Sequence, residues 1–347
     1  MADHDEYGAA VDDYLGRSYA ERRHELLERG GWDPALASEF ADLGWYSLAV
    51  PEEQGGLGVP LAALGPVFLQ YGRHLVRGPM LEHSALPALV PGLAPATGAR
   101  PPALVDPGVT DLWADDLGTI TRRGPRLDGT VEAVRFAAQA DRLVVVAGAA
   151  VCLVDPATRG VSIEPLAGAD PGVEFARVEF DDVEAGTVLQ DEDMVVRLRS
   201  WARLLLACEL SGLARGSVER TVEHVARREQ FGRPIGSFQA VKHLVADMHT
   251  RSTALENLCL AALGDADTAP PTELDLLACT AKAHASDVAV RVCEDAIQLH
   301  GGMGFTTESD VSWFYRRALA LRGWYGDPTE LQVRLGATLL DRIEEHA

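Results

Sequence analysis

The chain has 347 residues, 47% hydrophobic and 24% charged, enough for two or three domains with a sizeable core and too balanced for a disordered tail. Its 31 basic and 52 acidic side chains give a formal charge of −21, so it offers no basic stripe for a nucleic-acid backbone to follow. Lys242 and Lys282 are the only lysines, so an anionic ligand has to be met locally by arginine or by backbone amides.

The first six residues are acidic and lead into no apolar stretch, which does not read as a signal peptide. From about Tyr14 to Gly72 the pattern is helical. Asp33 stands as an N-cap before Pro34, and Leu36, Phe40, Leu43 and Trp45 follow at helix-like spacing. Pro51 to Gly58 interrupts the period. A stretch dense in proline and glycine, from Pro87 through Pro95 and Gly98 to Gly108, suits irregular crossing chain and places a boundary near residue 100.

Between 101 and 196 the period turns to strands: Thr119 to Arg123, a hairpin turn expected at Asp128-Gly129, then Leu143 to Val146, Val151 to Val154 and Val173 to Phe180. Beyond about Asp193 the pattern is helical again. Phe238, Val241, Val245, Met248, Leu255 and Leu258 share one face of a long helix. Pro270-Pro271 marks a turn, Thr272 with Asp275 approximates a capping box, and the next helix should stop at His300 before Gly301-Gly302. The domains read as 1–100 (helical), 101–196 (β) and 197–347 (helical bundle). Cys152, Cys208, Cys259, Cys279 and Cys293 are odd in number, sit in apolar stretches and lack C-x-x-C spacing; they read as buried thiols of a cytoplasmic protein with no metal site. No apolar run nears the ~20 residues of a membrane span.

Two segments carry chemistry. Arg227-Arg228-Glu229-Gln230-Phe231-Gly232-Arg233-Pro234-Ile235 is followed by Phe238-Gln239-Ala240-Val241-Lys242-His243, and later comes Gln298-Leu299-His300-Gly301-Gly302-Met303-Gly304-Phe305. Together they resemble the C-terminal domain of the flavin-dependent acyl-CoA dehydrogenases, and Pro51 to Gly58 looks like that family's first-domain loop. The resemblance implies an N-terminal helical domain, a middle β-barrel or sandwich and a C-terminal four-helix bundle. It also implies α,β-dehydrogenation of an acyl-CoA thioester, with a carboxylate base and a flavin on opposite faces of the acyl chain. In the family, the arginine and phenylalanine of the first segment and the glutamine and glycines of the second contact a neighbouring subunit's FAD. Residue by residue these are Arg228, Phe231, Gln298, Gly301 and Gly302, with Gln239 a further candidate. An arginine fork suits a diphosphate, and adjacent glycines let backbone approach a cofactor.

The chain departs from the family where the base belongs. Gly326 stands where the family's usual glutamate follows a tyrosine, and Ala202 stands at the alternative position on the first long helix. Neither accepts a proton. Asp327, one residue along, aims differently, and a displacement of about 1 Å can cost roughly a hundredfold in rate. Glu209 lies about 10 Å further along the helix from Ala202. The two acids are candidates for a displaced base, Asp327 otherwise a turn residue and Glu209 a paired structural carboxylate. The flavin-ring segments also look eroded, at Leu104 to Asp111 and at Val134 to Ala138. This pattern resembles the smaller, base-lacking subunit of actinobacterial heterotetrameric (α2β2) acyl-CoA dehydrogenases, some of which act on steroid side chains. It implies a second subunit that supplies the base, FAD shared across the interface, and an acyl-CoA substrate of the complex. A self-sufficient flavoenzyme and a flavin-free scaffold subunit are the alternatives.

Overall fold

The computed structural model describes residues 5–93, 100–109, 118–168, 170–306 and 309–345. Pro95, Gly98, Thr110 and Asp111, which figured in the sequence reading, lie outside them. The N-terminal part is helical: α1 (Asp5–Tyr14), α2 (Arg23–Arg29), α3 (Pro34–Asp42), α4 (Leu64–Arg73), α5 (Met80–Ser84) and α6 (Leu86–Leu89). Asp33 caps α3 as expected, its carboxylate accepting from the backbone N–H groups of Ala35 and Leu36 at 3.1 and 3.2 Å, with Pro34 at N1.

The middle part has eight strands: β1 (Pro102–Val105), β2 (Gly118–Arg123), β3 (Arg126–Arg135), β4 (Arg142–Ala147), β5 (Ala150–Val154), β6 (Val161–Leu166), β7 (Phe175–Glu184) and β8 (Thr187–Gln190). They form two four-stranded sheets, ordered β1-β4-β5-β8 and β2-β3-β7-β6. Leu143, Val145 and Cys152 of the first sheet share a core with Val131, Val178 and Phe180 of the second. The alternate residues Val144, Val146, Val151 and Leu153 belong to the helical core. Because β4 and β5 at the centre of the first sheet are buried on both faces, they read as nearly unbroken apolar runs. The hairpin turn lies four residues before its expected place, at Gly124-Pro125 between paired Arg123 and Arg126. Asp128-Gly129 is instead an irregularity within β3, where Gly129 (φ +132°) passes so close to Thr119 that a Cβ would lie 1.9 Å from its carbonyl oxygen.

The C-terminal part holds α7 (Glu192–Arg227), a two-residue ribbon of β9 (Glu229–Gln230) and β10 (Arg233–Pro234), α8 (Gln239–Ala266), α9 (Pro271–His300), α10 (Val311–Gly323) and α11 (Pro328–Glu345). Helix α9 stops at His300 with Gly301 at φ +60°. The expected capping box is not formed: Asp275 accepts from Arg203 and Arg334, and α9 begins with Pro271 at N1. Helix α4 lies against α7 through small residues on both sides. A Cβ at Gly72 would come within 1.9 Å of the Glu209 carbonyl oxygen, and one at Gly212 within 1.9 Å of that of Leu69. This contact joins the N-terminal helices and the bundle in one continuous core.

Candidate functional site

Helix α7 ends at Arg227, and Arg228 leaves it in an extended conformation. The chain then reverses in the β9–β10 ribbon, whose central residues Phe231 and Gly232 both have positive φ, +55° and +79°. That is the pattern of a type I′ turn, and a phenylalanine there is uncommon and strained. The strain displays the Phe231 ring, which is 92% exposed and meets Phe238 edge-on at 6.1 Å. Arg233 covers Phe238 at 4.1 Å.

Beside this ribbon is an open concavity of about 630 Å³, lined by Arg220, His224 and Arg227 of α7, Arg228 just beyond it, His300 and Met303 at the end of α9, and Arg23 of α2. Gly301 and Gly302 run between His300 and Met303, and a Cβ at either would meet nothing within 4 Å, so their backbone is open to approach. Four arginines face two acids of the lining, Glu223 and Asp310. Burial opposes ionisation of Asp310, but Arg23, His24 and Arg220 outweigh it and hold its carboxyl below the usual range. Burial lowers Arg220 to about 10, still protonated at neutral pH, and its guanidinium lies 4.6 Å over Phe314. The concavity is thus a positive site in an acidic chain. Arg228 lines it, and the glycine pair lies in the segment between two of its lining residues, His300 and Met303. Gln298, Gln239 and Phe231 are exposed and stand outside the lining.

Sequence reasoning did not single out Arg23, Arg220, His224 or Asp310. Arg220 and His224 precede Arg228 by eight and four residues on one helix face, which was the available signal. Arg23 and Asp310 meet across the whole chain, at 2.9 Å, and carry no local signal.

The base positions look different. Gly326 has φ +115°, and a Cβ there would come within 2.5 Å of Leu331. Its loop is tied down: Arg203 Nε donates to the Tyr325 carbonyl at 2.8 Å, and Lys282 Nζ to those of Arg322 and Gly326 at 3.0 and 3.5 Å. Ala202 is buried. Asp327 accepts from the Thr329 N–H at 2.9 Å at the start of α11, and Arg322 approaches to 3.7 Å. Glu209 is buried and accepts from Arg317 Nη1 at 3.1 Å; Arg317 also pairs with Asp170 and donates to the Val76 carbonyl at 2.9 Å. A crevice lined by Leu104, Asp106, Val131, Val134 and Trp324 holds about 10 Å³, room for about one water. Trp324 stacks on Phe175 at 5.5 Å, and the buried Arg135–Glu82 pair, 2.9 Å apart, lies beside it.

Two family models match, "Acyl-CoA dehydrogenase, N-terminal domain" over residues 1–88 and "Acyl-CoA dehydrogenase, C-terminal domain" over 195–339. Acyl-CoA dehydrogenase IpdE2 of Mycobacterium tuberculosis is 32% identical over 90% of this chain and 89% of its own length. The chain belongs to the acyl-CoA dehydrogenase family. Acyl-CoA dehydrogenase FadE34 of the same organism is 33% identical over 85% of this chain, which spans only 40% of that longer protein. Among solved structures, the ChsE4–ChsE5 complex from Mycobacterium tuberculosis superposes with a TM-score of 0.86 at 26% identity, covering 98% of both chains. The Tcur3481–Tcur3483 steroid ACAD gives 0.85 at 25%, covering 98% of this chain and 99% of that one. Among the described residues of this acyl-CoA dehydrogenase, no helix is long and apolar enough to cross a membrane.

Proposed function

We propose that this chain is the base-lacking subunit of an FAD-dependent acyl-CoA dehydrogenase complex, α2β2 in organisation, which lends the adenine–diphosphate half-site to a partner subunit carrying the catalytic glutamate. The observation that carries this reading is a contrast within one chain. The end of the bundle presents an arginine-lined concavity with open glycine backbone beside it. The crevice beside Trp324, where the resemblance would put a flavin ring, holds only about 10 Å³, and the positions that match the family's base are Gly326 and Ala202.

The two halves of the cofactor therefore fit this chain differently. Arg228, with the exposed backbone of Gly301 and Gly302, suits the diphosphate and adenine end, and Phe231, Gln298 and Gln239 stand on the same end of the bundle to flank it. The ring end does not fit, with about 10 Å³ of space against Trp324. When bound in the complex, FAD supplies the hydride acceptor for oxidation of the acyl chain. This chain's residues bind and orient its far end, and the proton leaves to a carboxylate of the partner.

A partner is also supported by apolar surface that one chain leaves uncovered. Helix α11 packs Leu331 and Leu335 on α9 but leaves Val333, Leu339, Leu340 and Ile343 exposed. Val218, Val222, Val225, Val241 and Val245 line an apolar groove of about 340 Å³ between α7 and α8. The ChsE4–ChsE5 complex and the Tcur3481–Tcur3483 steroid ACAD supply the analogy for two different chains assembling. The test is Arg228→Met in the assembled complex. Arg228 is exposed on its own chain, so folding stability should move by less than about 0.5 kcal/mol. Retained FAD should fall more than tenfold, and unchanged FAD content would refute the half-site.

A further inference from the structure

The concavity contains a feature that neither an arginine site nor a glycine turn requires. His224 of α7 and His300 of α9 stack face to face on its lining, with ring centroids 4.2 Å apart and planes 23° from parallel. We propose that this histidine pair is a proton-coupled contact for a diphosphate diester, so that binding of an ADP-type group and protonation of the pair favour each other. The inference rests on reading the concavity as the adenine–diphosphate half-site.

The geometry fixes how the pair can respond. His300 Nδ1 lies 2.8 Å from the Ala296 carbonyl, which can only accept, so Nδ1 carries a hydrogen and Nε2 is the position left to take up a proton. His224 sits one turn before Arg228, within reach of the same ligand charge. The groups that face the pair are Arg220, Glu223 and Arg227 of α7, Arg228 just beyond it, Arg23 of α2, and Asp310 just before α10. Asp310 is already engaged by Arg23 and His24, so the field at the pair is dominated by arginine.

In that field the free site disfavours imidazolium. Burial lowers His224, and His300 and Arg228 add to the effect. Burial likewise lowers His300, against the opposing hydrogen bond to Ala296. Both rings are therefore neutral near pH 7. A diphosphate diester brings two negative charges among the arginines and offsets the excess of positive charge that four arginines hold over two acids. The neutral pair then takes up a proton as the ligand enters, and Nε2 changes from an acceptor, which repels phosphate oxygen, to a donor. By linkage, affinity rises as pH falls, by at most about tenfold per pH unit for each proton taken up.

The experiment is calorimetric titration of the assembled complex, freed of its FAD, with ADP-ribose, chosen because its diphosphate is a diester and does not titrate in this range. Buffers of different ionisation enthalpy then give the number of protons exchanged. The expected result is net proton uptake on binding and an affinity at least about fivefold tighter near pH 6 than near pH 8. His300→Gln and His224→Tyr should remove most of that dependence while still binding near pH 8. NMR of the same FAD-free complex, with histidine labelled in this chain only, should show the two rings titrating at higher pH with ligand than without, which needs no variant to fold. Binding that is lost in Arg228→Met but shows no proton uptake in the wild type would overturn the coupling and leave the half-site standing. No binding by the wild type at any pH would overturn both.

Discussion

Glu209→Gln distinguishes a structural carboxylate from a displaced base. The Glu209 and Arg317 side chains are 7% and 3% exposed, and Arg317 is shared between Glu209, at 3.1 Å, and Asp170. Glutamine keeps an acceptor for Arg317 Nη1 but loses the charge, and Arg317 still holds Asp170 and the Val76 carbonyl. The loss is that of one charge-assisted hydrogen bond, about 1–3 kcal/mol. Arg317→Met is the harsher companion: it strands two buried carboxylates and should cost about 3–5 kcal/mol. Thermal unfolding of the full chain should order wild type, Glu209→Gln and Arg317→Met from most to least stable. Acyl-CoA oxidation by the assembled complex should stay within about twofold for Glu209→Gln, because the account gives this residue no proton to move. Loss of a general base would cost roughly a hundredfold or more. Such a loss with unchanged unfolding temperature would refute the structural assignment.

Two further outcomes follow from the same packing. Gly326→Glu, which restores the family's residue at the base position, should yield no activity in the chain alone and should lower stability by about 1–3 kcal/mol, since φ is +115° and the new Cβ would lie 2.5 Å from Leu331; turnover by the isolated variant would contradict this. His83 is buried against Tyr46 at 4.2 Å, neither ring nitrogen has a partner among the described residues, and burial lowers it to about 3. The unfolded chain then binds a proton that the native chain refuses, so stability rises with pH between about 3 and the ordinary histidine value near 6.5, and is lost as pH falls through that window. In urea unfolding at several pH values, His83→Phe should flatten this slope, and an unchanged slope would show that His83 does not set it.

Much of this architecture is written locally. The Asp33-Pro34 cap, the stop at Gly301 and the change of period near residue 101 all act over a few residues, and the structure holds each of them. Local signals misled where a competing geometry won. Asp128-Gly129 looks like a turn, but Gly124-Pro125 lies closer to the point where the strands pair, and Gly129 is needed for close approach to Thr119. Asp275 looks like a cap residue, but two arginines from other helices claim it. Of the candidate site, the motif around Arg228 and the glycine pair was legible because both lie at helix ends with characteristic spacing. The far wall was not: Arg23 and Asp310 are 287 positions apart. The triad of Glu209, Arg317 and Asp170 joins residues 108 and 147 apart, and only the folded core shows that Glu209 is already paired.

The central claim is that this chain holds one end of a flavin whose other end belongs to a partner. Its most direct measurement is the visible absorption spectrum and FAD content of the chain purified alone, and then co-expressed and co-purified with a base-bearing acyl-CoA dehydrogenase subunit from the same host. The account predicts a colourless chain alone and about one FAD per pair of unlike subunits in the assembly. Stoichiometric flavin on the chain alone would contradict it and make the chain a self-sufficient flavoenzyme.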